Sequence, residues 1–276
     1  MKYSTKRNLP QYLIYAALII GSLIVMYPFL IMVLNSFKSG TEILNYPLSL
    51  PKKWTISGFV KVFTILDIGN LFKNTIIISV SVTVLNVILN AMVAYALSKL
   101  RFPGRDTLFK VVLGSMMIPA ILLLIPTYVI MYNFGWINTY RVMIFPVALS
   151  AFNIFLIRQF LIGIPNAYLE AARIDGASEF AVFWKIVLPM AKPVLATVAI
   201  LSFMNSWNDL FMALLYLRDE SMFTLQLGLY SFKTTIPGPF LEQLWAATTL
   251  VTVPVVFVFF FLQKYFIEAF SGVGLK

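Results

Sequence analysis

The chain has 276 residues, of which 60% are hydrophobic and only 12% are charged, and its mean hydropathy is +0.88. Soluble domains carry roughly 25% charged residues, so the composition excludes an ordinary soluble domain and predicts an integral membrane protein. The net charge of +10 comes from lysines and arginines at the ends of apolar runs, which favours membrane-flanking charge over nucleic-acid binding. The absence of cysteine and histidine excludes disulfides, thiolate metal sites and Cys/His catalysis.

Six apolar runs are long enough to cross a bilayer, which takes about 20 residues of helix. The first run exceeds the roughly 7–15 apolar residues of a signal-peptide core, so it is predicted to be a retained span. The predicted spans are 12–34, 75–98, 111–134, 142–164, 189–211 and 244–266. Arg158 and Lys192 lie near the predicted cytosolic ends of two runs, where a long side chain can reach the interface. The sequence predicts an all-α, polytopic protein in which residues 1–276 form a single transmembrane domain.

Six spans place both termini on the same side of the membrane. With that side in the cytosol, the basic N-terminal stretch 2–7, the basic cluster 99–110 and the basic positions within 158–192 all lie inside, as the positive-inside rule expects. The outer loop 35–74 also contains several lysines and is predicted to form a short interfacial or extracellular helix around residues 56–66. The termini are therefore predicted to be cytosolic.

The predicted spans lack the ionisable residue that an ion-coupled carrier usually keeps near the membrane midplane. Asp209 lies near the outer end of the fifth span, and Glu268 lies beyond the sixth. A Na⁺ site built from carbonyls and hydroxyls would escape this test. The sequence also has no G-x-x-x-x-G-K-[ST] nucleotide-binding motif. We therefore expect a chain that is not an enzyme, binds no cofactor or metal itself, and draws any energy for uphill transport from a partner.

Residues 165–189, PNAYLEAARIDGASEFAVFWKIVLP, form a polar interruption between the fourth and fifth spans. Asn166 is a plausible N-cap for a short helix over residues 167–174. Gly176 can take the left-handed conformation that ends a helix. Ser178 can cap a second helix that leads into the fifth span. The segment is therefore predicted to be a helix-turn-helix in the cytosol.

The first of these short helices has two small residues, Ala171 and Ala172, beside the larger Tyr168. Small residues allow another backbone to approach closely, so the pattern is typical of a helix that docks into a groove on a partner. The alternative is an amphipathic helix that rests on the membrane or on its own bundle, with Glu170 facing Arg173 at i,i+3. The residues alone leave both open.

Seven positions match the EAA motif, E-A-A-x3-G-x9-I-x-L-P, that marks the membrane-spanning permease subunits of ABC importers. We call residues 165–189 the EAA segment. The chain resembles that family, which implies a type I importer permease architecture. The resemblance also implies that the EAA segment is a coupling helix, docked in a cleft on a cytosolic ATPase subunit that binds ATP and Mg²⁺. The residues implied in docking are Tyr168, Glu170, Ala171, Ala172, Asp175, Gly176, Ile186, Leu188 and Pro189.

The similarity covers most of the chain and points to the carbohydrate branch, the maltose-permease-like subunits. The stretches that carry it are AYALSKLRFPGR at 94–105, MIPAILLLIPTY at 117–128, FLIRQFLIGIPNAYLEAARIDGAS at 155–178 and SWNDLFMALLYL at 206–217. The tail IEAFSGVGLK resembles the Gly-containing tail of such permeases but lacks a clear final glycine. A tail contact with the ATPases is therefore not carried over.

Polar side chains on three predicted spans could line a path for a polar, uncharged cargo. Amides and hydroxyls can hydrogen-bond sugar hydroxyls, and an indole face can stack on a pyranose ring. The alternative is that these groups hydrogen-bond between spans. The residues predicted to contribute to a substrate path are Asn86, Asn90, Asn153, Asn205, Trp207, Asn208 and Asp209.

These observations predict the membrane subunit of an ATP-driven importer that forms half of the path for a sugar or oligosaccharide in a prokaryotic cell membrane. The implied partners are a second permease subunit in a heterodimer, two ATPase subunits, an extracytoplasmic solute-binding protein that contacts loop 212–243, and the lipid bilayer, with no nucleic acid. The alternatives are the same machine carrying a polyol, a glycerol phosphate or an aromatic compound, a secondary carrier or channel, or a membrane scaffold.

Overall fold

The computed structural model describes residues 9–235 and 241–271, and in that part of the chain the regular structure is helical, with no strand. The fold is therefore all-α, as predicted. Residues 1–8, residues 236–240 of the loop 212–243, and residues 272–276, half of the tail IEAFSGVGLK, fall outside the described residues. The α-helices are α1 Leu9–Ser36, α2 Gly40–Asn45, α3 Ser57–Ile65, α4 Ile68–Lys99, α5 Arg105–Ser115, α6 Leu124–Asn133, α7 Tyr140–Ile144, α8 Ala151–Ile162, α9 Ala167–Ile174, α10 Glu179–Val182, α11 Leu188–Met190, α12 Lys192–Trp207, α13 Phe211–Tyr216, α14 Leu225–Thr235 and α15 Leu241–Ser271.

Three helices within the described ranges are each long and apolar enough to cross a membrane by themselves: Gln11–Ser36, Ile68–Lys99 and Leu241–Phe261. Two further apolar helix pairs are sharply bent, α5 with the helix over 120–133 by 94°, and the helix over 179–190 with α12 by 81°. Helix α8 is apolar but shorter. These helices overlap the six predicted runs, and the exact number of spans stays a prediction.

The bends have identifiable causes in the sequence. Pro119 lies between α5 and the short 3₁₀ helix Ala120–Leu123, and proline has no N–H to continue a helical ladder. Pro193 lies in the first turn of α12, where the missing N–H is tolerated. Ala191 between α11 and α12 leaves the helical conformation at φ −87°, ψ 3°. Prolines therefore mark where both bent pairs divide.

The chain separates into two compact units, and the prediction of a single domain stays a prediction. The first unit comprises residues 1–67 and 232–253. Within it, α3 lies close against α15, since a Cβ on Gly58 would come within 2.5 Å of the Glu242 backbone oxygen. The Glu242 carboxylate accepts hydrogen bonds from Ser57 Oγ (3.0 Å) and from Lys61 Nζ. Helix α3 confirms the short helix predicted around residues 56–66.

The same unit buries a lysine just after α1. Lys38 has no exposed surface and its Nζ donates to the backbone oxygens of Tyr46 (2.9 Å) and Pro47 (3.4 Å). Burial lowers the pKa of Lys38, and the nearby carboxylate of Glu42 opposes that shift. The two carbonyls replace part of the hydration that the ammonium loses. Lys38 is therefore a structural tie for the turn that follows α2.

The second unit, residues 68–231 and 254–276, is organised around α4. Helices α8 and α12 pack along α4. Ala94 on α4, Ile157 on α8 and Val198 on α12 have no exposed surface and belong to one apolar cluster. A small residue at the contact lets helix axes approach closely, which is how membrane helices gain packing energy without a hydrophobic driving force. Helix α4 is thus the central element of this unit.

Candidate functional site

The EAA segment folds as a helix-turn-helix. Helix α9 spans Ala167–Ile174, the predicted bounds, and Gly176 takes the left-handed conformation at φ 83°. Ser178 Oγ accepts a hydrogen bond from Ala181 N at 3.3 Å and caps α10. These three predictions are confirmed. Asn166 occupies the N-cap position of α9, as predicted, but its side chain makes no capping hydrogen bond, because its Oδ1 accepts from Lys99 Nζ at 2.9 Å.

Helix α9 rests on one apolar side chain and exposes most of the others. Leu169 is only 1% exposed and packs into the core, whereas Ile174 is 86% exposed and Tyr168 56% exposed. Glu170 and Ala171 are also exposed, and Ala172 is half-buried against the core. Because α9 lies in a polar interruption between two predicted spans, its exposed apolar side chains form a candidate interaction surface.

The remaining motif residues lie around and beyond the turn. Asp175 and Gly176 are exposed at the end of α9. Ile186 and Leu188 are half-buried in the second helix, and Pro189 is exposed there. Residues Phe183–Val187 of that helix form a π-helical turn, a local irregularity that is frequent at functional sites.

A carboxylate joins the EAA segment to α4. Arg173 Nε donates to Glu179 Oε1 at 2.6 Å, and the Tyr95 hydroxyl donates to Glu179 Oε2 at 2.6 Å. The alternative interpretation paired Arg173 with Glu170. In the structure Arg173 pairs with Glu179 instead. The guanidinium first, and the tyrosine hydroxyl second, hold the pKa of Glu179 below its usual value, so this carboxylate is ionised at neutral pH.

A lysine makes a second connection between α4 and the EAA segment. Lys99, the last residue of α4, donates from Nζ to the Ile164 carbonyl at 2.6 Å as well as to Asn166. Its two acceptors lie just after α8 and just before α9, so the lysine holds the start of the segment. The sequence interpretation missed Lys99, Tyr95 and Glu179 because their partners lie far away along the chain.

A cavity of about 710 Å³ lies between α4, α8 and α12 in the second unit. Its lining is mixed apolar and polar, and no lysine or arginine is among the described residues that line it. Asp209 is the one carboxylate among those residues, and its Oδ1 accepts a hydrogen bond from Met212 N at 2.9 Å. The polar residues that line the cavity are Asn86, Ser115, Ser150, Asn153, Ser202, Asn205, Ser206 and Asp209.

Three of the predicted path asparagines are engaged in a buried network between helices. Asn86 Oδ1 accepts from Asn90 Nδ2 (3.0 Å) and from Asn153 Nδ2 (2.9 Å). Asn86 Nδ2 donates to the Val147 carbonyl at 2.8 Å, and Asn90 Oδ1 accepts from Ser150 N at 2.8 Å. The three amides are at most 6% exposed. They have the interhelical contacts of the alternative interpretation, although Asn86 and Asn153 also line the cavity.

Of the four path residues predicted at the end of α12, Asn205 and Asp209 line the cavity, whereas Trp207 and Asn208 do not. Asn205 is exposed and lines the cavity together with Asp209. Trp207 is 1% exposed and packs against Phe203 and Phe72, with ring centroids 5.3 and 6.1 Å away, so its indole does not face the cavity. Asn208 is exposed and lies outside the cavity lining. Ser202 and Ser206, four residues apart on α12, complete the lining; their i,i+4 spacing was the signal that sequence reasoning overlooked.

The family model described as "binding-protein-dependent transport system inner membrane component" matches residues 91–271. The chain belongs to this family. The permease is therefore a multi-pass membrane subunit of a transport system and not an enzyme. The matched range contains the whole EAA segment and most of the residues that line the cavity.

The alignments with two sequence relatives cover nearly the whole permease. It is 36% identical over 257 residues to the arabinooligosaccharides transport system permease protein AraQ of Halalkalibacterium halodurans, covering 92% of each chain. It is 34% identical over 253 residues to the diacetylchitobiose uptake system permease protein NgcG of Streptomyces coelicolor, covering 91% of the permease and 84% of the relative.

A crystal structure of a bacterial ABC transporter involved in the import of the acidic polysaccharide alginate contains a chain with the same fold. The TM-score is 0.84 with 28% sequence identity, over 96% of the permease and 99% of that chain. The likeness confirms the all-α architecture of an ABC importer permease.

Proposed function

We propose that this permease forms half of the translocation path of an ATP-driven importer for a sugar or oligosaccharide and couples to a cytosolic ATPase through the EAA segment. The observation that carries the proposal is the exposed face of α9. On that face Ile174 and Tyr168 are exposed at the surface of the chain, while Leu169 packs into the core. Such a face needs a partner with an apolar groove, the helix-in-groove mode of recognition.

The importer would contain a second permease subunit, two ATPase subunits that bind ATP and Mg²⁺, and an extracytoplasmic solute-binding protein. This chain itself would bind no cofactor. The EAA segment and both termini would then lie in the cytosol of a prokaryotic cell, with the permease in its plasma membrane. This orientation agrees with the basic residues at 99–110.

The chemistry of the cavity supports a neutral cargo. Its polar lining consists of amides and hydroxyls with one carboxylate, Asp209, and without a basic residue among those described. A phosphorylated or acidic cargo would call for arginine or lysine, which recognise such anions. Two relatives named for arabinooligosaccharides and diacetylchitobiose support a saccharide. We therefore favour a neutral oligosaccharide over a glycerol phosphate or an acidic saccharide.

The absence of native cysteine permits a direct test of docking. Membranes of the native host that carry Ala171→Cys, on the exposed face, are treated with a bifunctional thiol-to-amine cross-linker. The expected product joins this chain to an ATPase subunit, identified by mass spectrometry. Leu169→Cys, whose thiol would be buried on the same helix, is the matched control and should give no such product. Cross-linking of neither variant to an ATPase would contradict the proposal.

The cargo is tested separately by purifying the complex in mild detergent and identifying the ligand of the co-purified binding protein. A neutral oligosaccharide that drives ATP-dependent uptake would support the proposal. Uptake of a phosphorylated or acidic solute would overturn the assignment of the cargo but leave the coupling role intact.

A further inference from the structure

We propose that α4 is the lever that carries movement of the EAA segment to the cavity, with Lys99 and Tyr95 as the positioning residues that attach the lever at its coupling end. The inference rests on the proposed function, since it assumes that the EAA segment is moved by an ATPase. It assigns a role to two residues outside the EAA motif.

Helix α4 is suited to transmit movement because it is continuous. Of the three helices that could cross a membrane unaided in the described residues, α1 contains Pro28 and α15 contains Pro254, whereas α4 runs 32 residues without a proline. The other two apolar pairs are bent by more than 80°. An uninterrupted hydrogen-bond ladder moves as one body, whereas prolines and breaks absorb displacement as local bending.

The coupling end of α4 is attached to the EAA segment at both ends of α9. Lys99 holds the carbonyl of Ile164 and the side chain of Asn166 at the start, as described above. Tyr95 holds Glu179 after the turn, and Glu179 is held in turn by Arg173 of α9 itself. A single attachment would restrain translation of α9 relative to α4 but would let α9 rotate about that point. Two attachments at separate points restrain both movements.

The other attachments of the same helix lie at the cavity and beyond it. Asn86 lines the cavity and connects α4 to α8 through Asn153. It lies nine residues from Tyr95, roughly 14 Å along a helix that rises about 1.5 Å per residue. Farther along, Asn74 donates to the backbone oxygens of Ser221 and Phe223, both at 2.9 Å. A displacement at Tyr95 therefore reaches the cavity and the segment after α13 through one rigid element.

The test uses Asn205→Cys, an exposed position in the cavity lining, as the reporter in the assembled complex. The rate at which a small thiol reagent modifies this cysteine is measured with and without ATP, by mass spectrometry of this chain. We expect ATP to change the rate in the otherwise native chain. In Lys99→Met the change should shrink at least about fivefold, the lower end of typical coupling between sites. ATPase cross-linking through Ala171→Cys, in a parallel sample, should stay at its native yield.

Three variants separate positioning from folding. Tyr95→Phe removes one hydroxyl but keeps the ring that packs 5.6 Å from Phe183, so it should fold and still reduce the ATP response. Lys99→Arg keeps the positive charge and should restore most of the response. Lys110→Met removes an exposed lysine of α5 and is the matched control, which should behave like the native chain.

The outcomes separate this inference from the proposed function. A full ATP response in both Lys99→Met and Tyr95→Phe, with cross-linking retained, would overturn the lever. An ATP-independent modification rate in the chain whose one substitution is Asn205→Cys, with cross-linking retained, would overturn it as well. Loss of ATPase cross-linking in the chain whose one substitution is Ala171→Cys would overturn the coupling role itself, and the lever with it. A reduced response with native cross-linking supports the lever.

Discussion

The side-chain amide of Asn153 donates to Asn86 Oδ1 across 2.9 Å and joins α8 to α4 at the wall of the cavity. The same oxygen accepts from Asn90, so one amide holds two others in fixed orientations. Asn86 would have to release Asn90 or Asn153 before its amide oxygen could accept a hydrogen bond from cargo. We therefore expect the asparagine network to stabilise the cavity wall. We expect exposed neighbours such as Asn205 to contact the cargo.

Replacement of Asn86 should therefore destabilise the permease. In Asn86→Leu the Val147 carbonyl loses its amide donor, and the Asn90 and Asn153 amides each lose one acceptor. The two amides keep other acceptors, the Ala148 carbonyl for Asn90 and Ser202 Oγ for Asn153, both at 3.3 Å, so the unpaired carbonyl carries most of the cost. Interhelical hydrogen bonds in membranes average only about 0.6 kcal/mol, but each buried polar group left unpaired costs about 1–3 kcal/mol, so the second effect dominates. The expected result is a lower midpoint of thermal unfolding in detergent.

The companion measurement is the KM for uptake at a temperature where the variant remains folded. That KM should stay near the native value, because the role assigned to Asn86 is structural. An unchanged unfolding midpoint with a strongly raised KM would show instead that Asn86 contacts the cargo.

Asn205 should show the opposite behaviour. Its amide is exposed on the cavity lining, so Asn205→Ala leaves no buried group unpaired and the unfolding midpoint should not move. Loss of one hydrogen bond to an uncharged cargo corresponds to about 0.5–1.5 kcal/mol, and uptake at low cargo concentration should fall severalfold. Asn208→Ala, three residues on and outside the cavity, is the control. Equal uptake in the two variants would contradict a cargo path at this position.

Trp207 is expected to matter for packing. Its ring is buried against Phe203 and Phe72, and truncation of a buried tryptophan to alanine costs about 3–5 kcal/mol. Trp207→Ala should therefore lower the unfolding midpoint and the yield of folded protein. Trp207→Phe retains an aromatic ring and should recover much of both. A Trp207→Phe variant with native stability but no uptake would indicate that the indole contacts cargo in another state.

The parts of the site that were predicted from sequence are those built by local signals. The bounds of α9 and the turn at Gly176 follow from residues within one helical turn of each other. The ties of Lys99 to Ile164 and of Tyr95 to Glu179 join residues 65 and 84 positions apart, and no local pattern encodes them. The environment of Trp207 was not predictable for a related reason: its polar neighbours suggested a lining residue, whereas in this structure its ring packs against Phe203 and Phe72. Its part in a substrate path stays a prediction.

Substitutions at Gly176 can show whether docking of the EAA segment depends on the conformation of its backbone or on the chemistry of its surface. It has φ 83°, and a Cβ built there would meet nothing within 4 Å. The cost of a side chain is therefore purely conformational, roughly 1–2 kcal/mol for an ordinary residue in the left-handed region. Gly176→Val should misplace α9 relative to α10 and reduce both ATPase cross-linking through Ala171→Cys and cargo uptake, while membrane insertion is unchanged.

The matched control at this turn is Gly176→Asn, because asparagine tolerates the left-handed conformation far better than a β-branched residue. It adds a side chain of similar reach to the same exposed position but preserves the turn. If the backbone conformation is what matters, cross-linking and uptake should be largely retained in Gly176→Asn and lost in Gly176→Val. Equal loss in both variants would show that the ATPase needs the space a glycine leaves open, and native behaviour in both would contradict docking at the turn.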